Sequence, residues 1–181
     1  MFDLPSLAGA AVILLCLGGI FFCSLAEAAM LGLSETTRRR LADSEAASAQ
    51  RLLRLLANGH YLSALIVGMN SFLILLSTVM TLLVHRHHGP HEDLTSEALH
   101  LGMVLFILVF AELTPKTYGG LYPERVALAV SRPLQVLTRL YRPLVRLLTR
   151  LAGPITGHGG PGQELLTVEE IRMAADVSEE E

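Results

Sequence analysis

The chain has 181 residues, of which 51% are hydrophobic and only 17% are charged, and its net charge is -3. A soluble domain carries about 25% charged residues, and the apolar residues of this chain are gathered into long runs, with a mean hydropathy of +0.48. This composition argues against a basic nucleic-acid-binding protein and predicts an all-α membrane protein. The two cysteines, Cys16 and Cys23, share one apolar run and are interpreted as packing residues, because a disulfide between them is sterically implausible.

The first predicted transmembrane span covers about residues 4–30. The stretch from Leu4 to Ala26 is uncharged and long enough to cross about 30 Å of hydrocarbon. A signal peptide is disfavoured, because no basic region precedes the apolar stretch and a strongly positive segment follows it. Small residues near the end of this span suit close helix packing in lipid.

Two further spans are predicted at about residues 61–84 and 98–115. The second span is uncharged and carries Asn70 near its middle. The third is short for a straight crossing before Pro115, and we therefore expect a third helix that is broken near this proline.

A polar loop with four histidines separates these two spans. His87 and His91 have the i, i+4 spacing of a transition-metal pair, but Gly89-Pro90 between them would break the helix that such a pair needs. A solvated loop between His85 and His91 is therefore favoured over a metal site.

Arginine-rich segments flank the spans at about residues 35–57 and 123–151. Both combine arginines with leucines at helical spacing, which predicts juxtamembrane amphipathic helices at the membrane surface. Pro133 and Pro143 are expected to kink or divide the second. Because the loop between spans two and three has a single arginine, the positive-inside rule predicts an N-terminus outside and a cytoplasmic C-terminus in the cell inner (plasma) membrane.

The last part of the chain changes character after the transmembrane module, residues 1–152. Residues 153–163 form a Gly/Pro-rich linker. Residues 164–181 are acidic, and Thr167 with Glu170 fits a capping box at the start of a helix. We expect this helix to be the beginning of a cytosolic connector, with the regulatory domains that would follow it absent from this chain.

Two carboxylates, Glu27 and Glu112, lie in apolar sequence, where an unpaired charge is costly. Pro115 has no N–H, so the carbonyl of Ala111 loses its usual helical partner. Neutral oxygen donors in the other motifs are Ser24, Ser34 and Asn70. Hard oxygen ligands without a thiolate cluster favour Mg²⁺ or Ca²⁺ over zinc or copper.

Each of these residues also has a plainer interpretation. Glu112 could pair with Lys116 one turn later, and Glu27 could pair with Arg38 or Arg39. The serines, Ser71 included, are individually typical of helix packing, and Asn70 could bond a neighbouring helix. The sequence has no HExxH, nucleophile elbow, P-loop or Gly-rich dinucleotide turn, so we predict that the protein is not an enzyme.

Three motifs together resemble the transmembrane module of the CNNM/CorC family of magnesium transporters. They are Ser24-Leu25-Ala26-Glu27-Ala28-Ala29 followed by Leu33-Ser34, Gly68-Met69-Asn70, and Phe110-Ala111-Glu112-Leu113-Thr114-Pro115-Lys116. The resemblance implies a homodimer in the lipid bilayer with three transmembrane helices per subunit. It also implies Mg²⁺ as the transported ion and no nucleotide site in this part of the family protein.

The family pattern, carried over by motif, implies a set of Mg²⁺ ligands. They are the side chains of Ser24, Ser34, Asn70 and Glu112 and the backbone carbonyls of Leu31 and Gly32. The residues expected around them are Glu27, Ser71, Ala111 and Lys116. The implied function is Mg²⁺ export by alternating access, with sodium as a plausible coupling ion. The alternative is a membrane-anchored Mg²⁺ sensor or adaptor that regulates other transporters.

Overall fold

The computed structural model describes residues 4–88 and 94–156. Within these ranges every regular element is a helix and there is no β-strand, which confirms the predicted all-α class. The helices are α1 (Leu4–Leu31), α2 (Glu35–Ala42), α3 (Ala47–Ala57), α4 (His60–His88), α5 (Leu94–Phe106), a π-helix (Ile107–Leu113), α6 (Thr114–Leu121) and α7 (Pro123–Thr156).

Three helical stretches of the described chain are long and apolar enough to cross a membrane. They are Ala8–Leu31, His60–Leu83 and Leu101–Leu121. The first two agree with the predicted spans. The third continues past Pro115, where the sequence interpretation ended it, and thereby gains the length that a crossing requires.

The predicted break near Pro115 takes the form of a change in helix type. The chain passes from α5 through the π-helix into α6 without leaving a helical conformation. Pro115 is buried in the first turn of α6. This is the position where its missing N–H and its fixed φ are best tolerated.

Helix α1 lies at the centre of the molecule and contacts α4, the π-helix, α6 and α7. Its fully buried residues include Ala26 and Ala29, whose small side chains let neighbouring helices approach closely. The closest approach is made by Gly119 of α6. A Cβ atom at Gly119 would lie 2.6 Å from the carbonyl oxygen of Leu25, so α6 rests directly on the backbone of α1.

The first arginine-rich segment forms two short helices, α2 and α3, and α3 packs against α7. One core cluster joins this region to the spans. It includes Met30 of α1, Leu52 of α3, Leu65 of α4, and Val130 and Leu134 of α7. The juxtamembrane helices are therefore anchored to the transmembrane helices by buried apolar side chains.

Helix α7 is continuous from Pro123 to Thr156 and is not divided at Pro133 or Pro143. Both prolines are exposed, and the carbonyls they leave unpaired, four residues earlier, belong to the exposed residues Ala129 and Arg139. At an exposed surface such carbonyls can be satisfied by other donors, which removes the main cost of an internal proline.

The expected linker begins within α7, since residues 153–156 are helical. The rest of the linker, residues 157–163, and the acidic connector, residues 164–181, lie outside the described residues. So does Gly89-Pro90-His91 of the histidine loop.

Candidate cation site

Glu112 lies in the π-helix of the third span and is partly buried. No hydrogen bond or ion pair joins its carboxylate to any described residue. A carboxylate inside a membrane span is costly unless something compensates its charge. Glu112 therefore carries a carboxylate in the third span that no described residue neutralises.

The π-helix rearranges the backbone next to Glu112. Both the N–H and the hydroxyl of Thr114 donate to the carbonyl of Val109, the hydroxyl at 2.7 Å. In this i, i+5 register the carbonyl of Phe110 would accept from the N–H of residue 115. In an α-helical register the carbonyl of Ala111 would accept from that same N–H. Because Pro115 has no N–H, neither carbonyl is paired through it. Single π-helical turns occur often at functional sites, and this one places two such carbonyls beside a carboxylate.

Lys116 pairs with Glu27 and not with Glu112. Its Nζ lies 3.2 Å from Glu27 Oε2, with 43% of the lysine and 20% of the glutamate side chain exposed. The i, i+4 alternative for Glu112 is therefore wrong. The physical reason for this difference is the π-helix, because its wider turn removes the α-helical register that would stack Glu112 on Lys116. Arg39, one of the partners considered for Glu27, instead has its Nε 3.5 Å from Glu35.

Ser24 is fully buried between α1 and α4. Its hydroxyl donates to the sulfur of Met69 over 3.7 Å. Met69 directly precedes Asn70, so the first and second motifs meet at this contact. A sulfur is a weak acceptor, and the hydroxyl oxygen of Ser24 keeps its own capacity to bind a cation.

Asn70 and Ser71 bond their own helix. The Asn70 Nδ2 donates to the carbonyl of Ile66 at 2.8 Å, and the Ser71 hydroxyl donates to Val67 at 2.7 Å. Asn70 is exposed, and its Oδ1 accepts no hydrogen bond from any described residue. The bond of Nδ2 thus fixes the amide so that the oxygen is the end left for a cation.

Ser34 has a structural role at the start of α2. Its hydroxyl accepts from the N–H of Thr37 at 3.2 Å and caps the helix. Gly32 follows the last residue of α1, Leu31, and its N–H bonds the carbonyl of Ala28 at 2.9 Å. A Cβ at Gly32 would lie 3.1 Å from Pro123 Cβ, a tight contact at the point where the start of α7 approaches.

The structure therefore brings the predicted residues together only in part. Glu27 and Lys116 are in direct contact, and Ser24 touches the residue before Asn70. No hydrogen bond joins the side chains of Ser24, Asn70 and Glu112 in the described part of the chain, and Ser34 is exposed at the cap of α2.

Thr114 was missed by the sequence reasoning. Its hydroxyl gives the Val109 carbonyl a second hydrogen bond, beside the one from the Thr114 N–H. A threonine directly before a proline near an intramembrane carboxylate is a signal that could have identified it.

Comparison with known families gives a clear match. The model of the cyclin M transmembrane N-terminal domain (CNNM) matches residues 10–181. Among curated relatives, a UPF0053 protein of Synechocystis is 32% identical over 82% of this chain and 42% of its own length. The UPF0053 inner membrane protein YfjD of Escherichia coli is 35% identical over 72% of this chain and 30% of its own. A protein of Salmonella typhimurium named polyamine export protein is 32% identical over 75% of this chain and 35% of its own.

These relatives are longer proteins, and the chain spans less than half of each. The matched part contains the second and third candidate spans, the first span from residue 10 onward, and all three motifs from which the resemblance was inferred. The chain belongs to the CNNM family of transporter-type membrane proteins, as the three motifs indicated.

Proposed function

We propose that this protein moves Mg²⁺ across the inner (plasma) membrane, and that Glu112 is the charged ligand of the ion. The observation that carries the proposal is the state of the two intramembrane carboxylates. Glu27 is neutralised by Lys116, whereas Glu112 has no partner among the described residues. A divalent cation at Glu112 would compensate the charge that the span otherwise leaves exposed to a low-dielectric environment.

Neutral oxygens would complete the coordination of the ion. The Oδ1 of Asn70, the hydroxyl of Ser24 and the carbonyls next to Pro115 are hard donors of the kind that Mg²⁺ selects. With a single carboxylate the affinity is moderate, which favours release on the far side of the membrane. Ser34, Leu31 and Gly32 would join the coordination only after the end of α1 and the start of α2 rearrange.

The π-helix offers a way to alternate access. It lies between two α-helical segments of one span, and a shift of its extra residue along the helix would rotate Glu112 relative to α1. In our proposal this rotation exposes the ion first to one side and then to the other. We propose a homodimer as the working form, with the N-terminus outside and export as the direction, driven by sodium entry.

A polyamine is a second candidate cargo, because one of the relatives is named a polyamine export protein. An ammonium group would be attracted to the same unpaired carboxylate of Glu112. The two cargoes differ in what else they require. Mg²⁺ demands a nearly octahedral set of oxygens, including the neutral ones, whereas a polyamine requires mainly negative charge and acceptors along its length.

The test is flux into proteoliposomes that contain the purified chain. Mg²⁺ entry would be followed with an indicator dye and spermidine entry with a radiolabel, for the wild type and for Glu112→Gln. The matched control is Glu97→Gln, which removes an exposed carboxylate of α5 that precedes the third candidate span.

We expect Mg²⁺ flux to fall to the protein-free level in Glu112→Gln and to persist in Glu97→Gln. Spermidine flux without Mg²⁺ flux would assign the polyamine as cargo. Mg²⁺ binding without any flux would favour a sensor. Wild-type Mg²⁺ flux in Glu112→Gln would show that the assignment of Glu112 is wrong.

A further inference from the structure

A groove runs along the surface where α3, α4 and α7 meet, away from Glu112. We propose that it binds one anionic phospholipid, with the phosphate at a basic end and an acyl chain at an apolar end. The proposal concerns this surface alone and does not depend on the identity of the transported cargo.

The basic end is a cavity of about 180 Å³. Three guanidinium groups line it, those of Arg54 at the end of α3 and of Arg139 and Arg142 in the middle of α7, together with His60. No acidic residue is among the described residues that line this cavity. The three side chains are exposed and can reach a ligand from solvent or lipid, and planar guanidinium groups match phosphate oxygens in pairs.

The arginines of this cavity are not neutralised elsewhere in the described chain. Arg139 and Arg142 make no ion pair with a described residue. Arg54 uses only its Nε, which donates to the carbonyl of Gln50 at 3.1 Å, and keeps its two terminal nitrogens for a ligand. By contrast, Arg39 and Arg40 outside the cavity pair with Glu35 and Glu124.

The apolar end is a second cavity, of about 200 Å³, between α4 and α7. Its lining includes Ile66 and Val67 of α4 and Val145 and Leu148 of α7. A small cavity of about 30 Å³ lies next to both ends. It shares His60 and Arg142 with the basic end, and it shares Val145 and Thr149 with the apolar end. The three cavities therefore follow one another along this surface, which is charged at one end and apolar at the other.

The groove also lies at the correct depth for a lipid. The second candidate span begins at His60, which belongs to the basic end. Ile66 and Val67, at the apolar end, lie between one and two helical turns further into the span. A lipid has the same order, with its phosphate at the interface and its chains in the hydrocarbon. Basic pockets between membrane helices commonly bind anionic head groups.

A free phosphate or an acidic peptide fits the structure less well. Either would satisfy the arginines but would leave the apolar cavity of α4 and α7 without an occupant. The chain also carries its own acidic residues within 164–181, outside the described residues, and these are treated as a competing occupant in the test.

The experiment is native mass spectrometry of the full chain in detergent, titrated with phosphatidylglycerol and with phosphatidylcholine of identical acyl chains. We expect one phosphatidylglycerol to bind at least tenfold more tightly than phosphatidylcholine. Arg139→Gln/Arg142→Gln should weaken phosphatidylglycerol binding roughly 30-fold, from the usual contribution of two arginines near an anionic lipid. Arg132→Gln/Arg150→Gln makes the same charge change on exposed positions of α7 outside the groove, and should weaken it less than about threefold.

A second pair of variants tests the apolar end. Leu148→Trp places a larger side chain in the groove and should weaken binding, whereas the neighbouring Leu147→Trp, which does not line the groove, should not. Equal binding of the two lipids, or no effect of the Arg139/Arg142 change, would overturn the proposal. Displacement of phosphatidylglycerol by inorganic phosphate at the same concentration as the lipid would assign the groove to free phosphate. Lipid binding seen only in Glu169→Gln/Glu170→Gln would assign the basic end to the acidic segment of the chain itself.

Discussion

Lys116 of α6 forms an ion pair with Glu27 of α1, with Nζ and Oε2 3.2 Å apart, although Glu112 lies one turn earlier in the same span. The pair joins the first motif of the chain to the third. It fixes α6 against α1 while the carboxylate of Glu112 remains without a partner in the described residues. The two intramembrane glutamates therefore differ in their surroundings, since Glu27 joins two helices through its ion pair and Glu112 has no such partner among the described residues.

The first prediction is that Glu27 and Lys116 are energetically coupled. Glu27→Gln and Lys116→Met should each lower the thermal unfolding temperature in detergent, because each leaves the other charge unpaired. The double variant should lose less stability than the sum of the two single losses, and this difference, the coupling free energy, should be about 0.5–3 kcal/mol. The control pair is Arg39→Gln with Glu35→Gln, an exposed pair expected to couple by less than about 1 kcal/mol. Additive effects of Glu27→Gln and Lys116→Met would contradict the structural role.

The second prediction concerns the contact between α6 and α1. Gly119→Ala would bring a methyl group to 2.6 Å from the Leu25 carbonyl oxygen and 3.2 Å from Ala28 Cβ. Because the backbone of α1 cannot yield as a side chain can, we expect a loss of about 1–3 kcal/mol. The adjacent Gly120 has no heavy atom within 4 Å of its Cβ position, and Gly120→Ala should be neutral or slightly stabilising. Equal unfolding temperatures of the two variants would show that α6 does not rest on α1 as described.

Much of this fold follows from the distribution of charge along the sequence. The uncharged stretches predict the first two spans because lipid excludes unpaired charges, and Glu112 and Glu27 stand out because they violate that rule. The family follows from three short motifs, which the comparison with the CNNM domain confirms. These features are local, and each can be recognised from the residues that produce it.

The remaining features depend on geometry that the sequence does not display. The i, i+4 rule offered Lys116 as an alternative partner of Glu112 because it assumes an α-helix, whereas Glu112 lies in the π-helix at 107–113. Pro133 was expected to interrupt α7, yet burial of Val130 and Leu134 against the other helices keeps the helix continuous. The importance of Gly119 depends on Leu25, a neighbour nearly a hundred positions away.

The third prediction tests whether the π-helix supports cation binding. Thr114→Val removes the hydroxyl that donates to the Val109 carbonyl at 2.7 Å, at nearly constant shape. We expect Mg²⁺ affinity, measured by isothermal titration, to fall about 3–10-fold, because the loss of about 1 kcal/mol from the hydrogen bond loosens the turn that orients Glu112. Thr117→Val removes a similar bond, to Leu113 at 2.8 Å, from the ordinary α-helical register. It should change stability by a comparable amount and leave Mg²⁺ affinity unaltered. An equal loss of Mg²⁺ affinity in both variants would show that the π-helix has no specific role in cation binding.

The fourth prediction concerns the turn that positions the basic end of the groove. Gly59 has a φ of 61°, the left-handed conformation, and connects Asn58 to His60 at the start of α4. A side chain there is strained by about 1–2 kcal/mol, although no atom lies within 4 Å of its Cβ position. Gly59→Ala should therefore lower the free energy of unfolding by that amount without a steric clash. Gly102→Ala, at an equally open position within α5, should instead raise it by about 0.5–1 kcal/mol, because alanine favours a helix. Thermal unfolding in detergent measures both changes, and a shift of the same sign in the two variants would show that the turn at Gly59 is not held in the left-handed conformation.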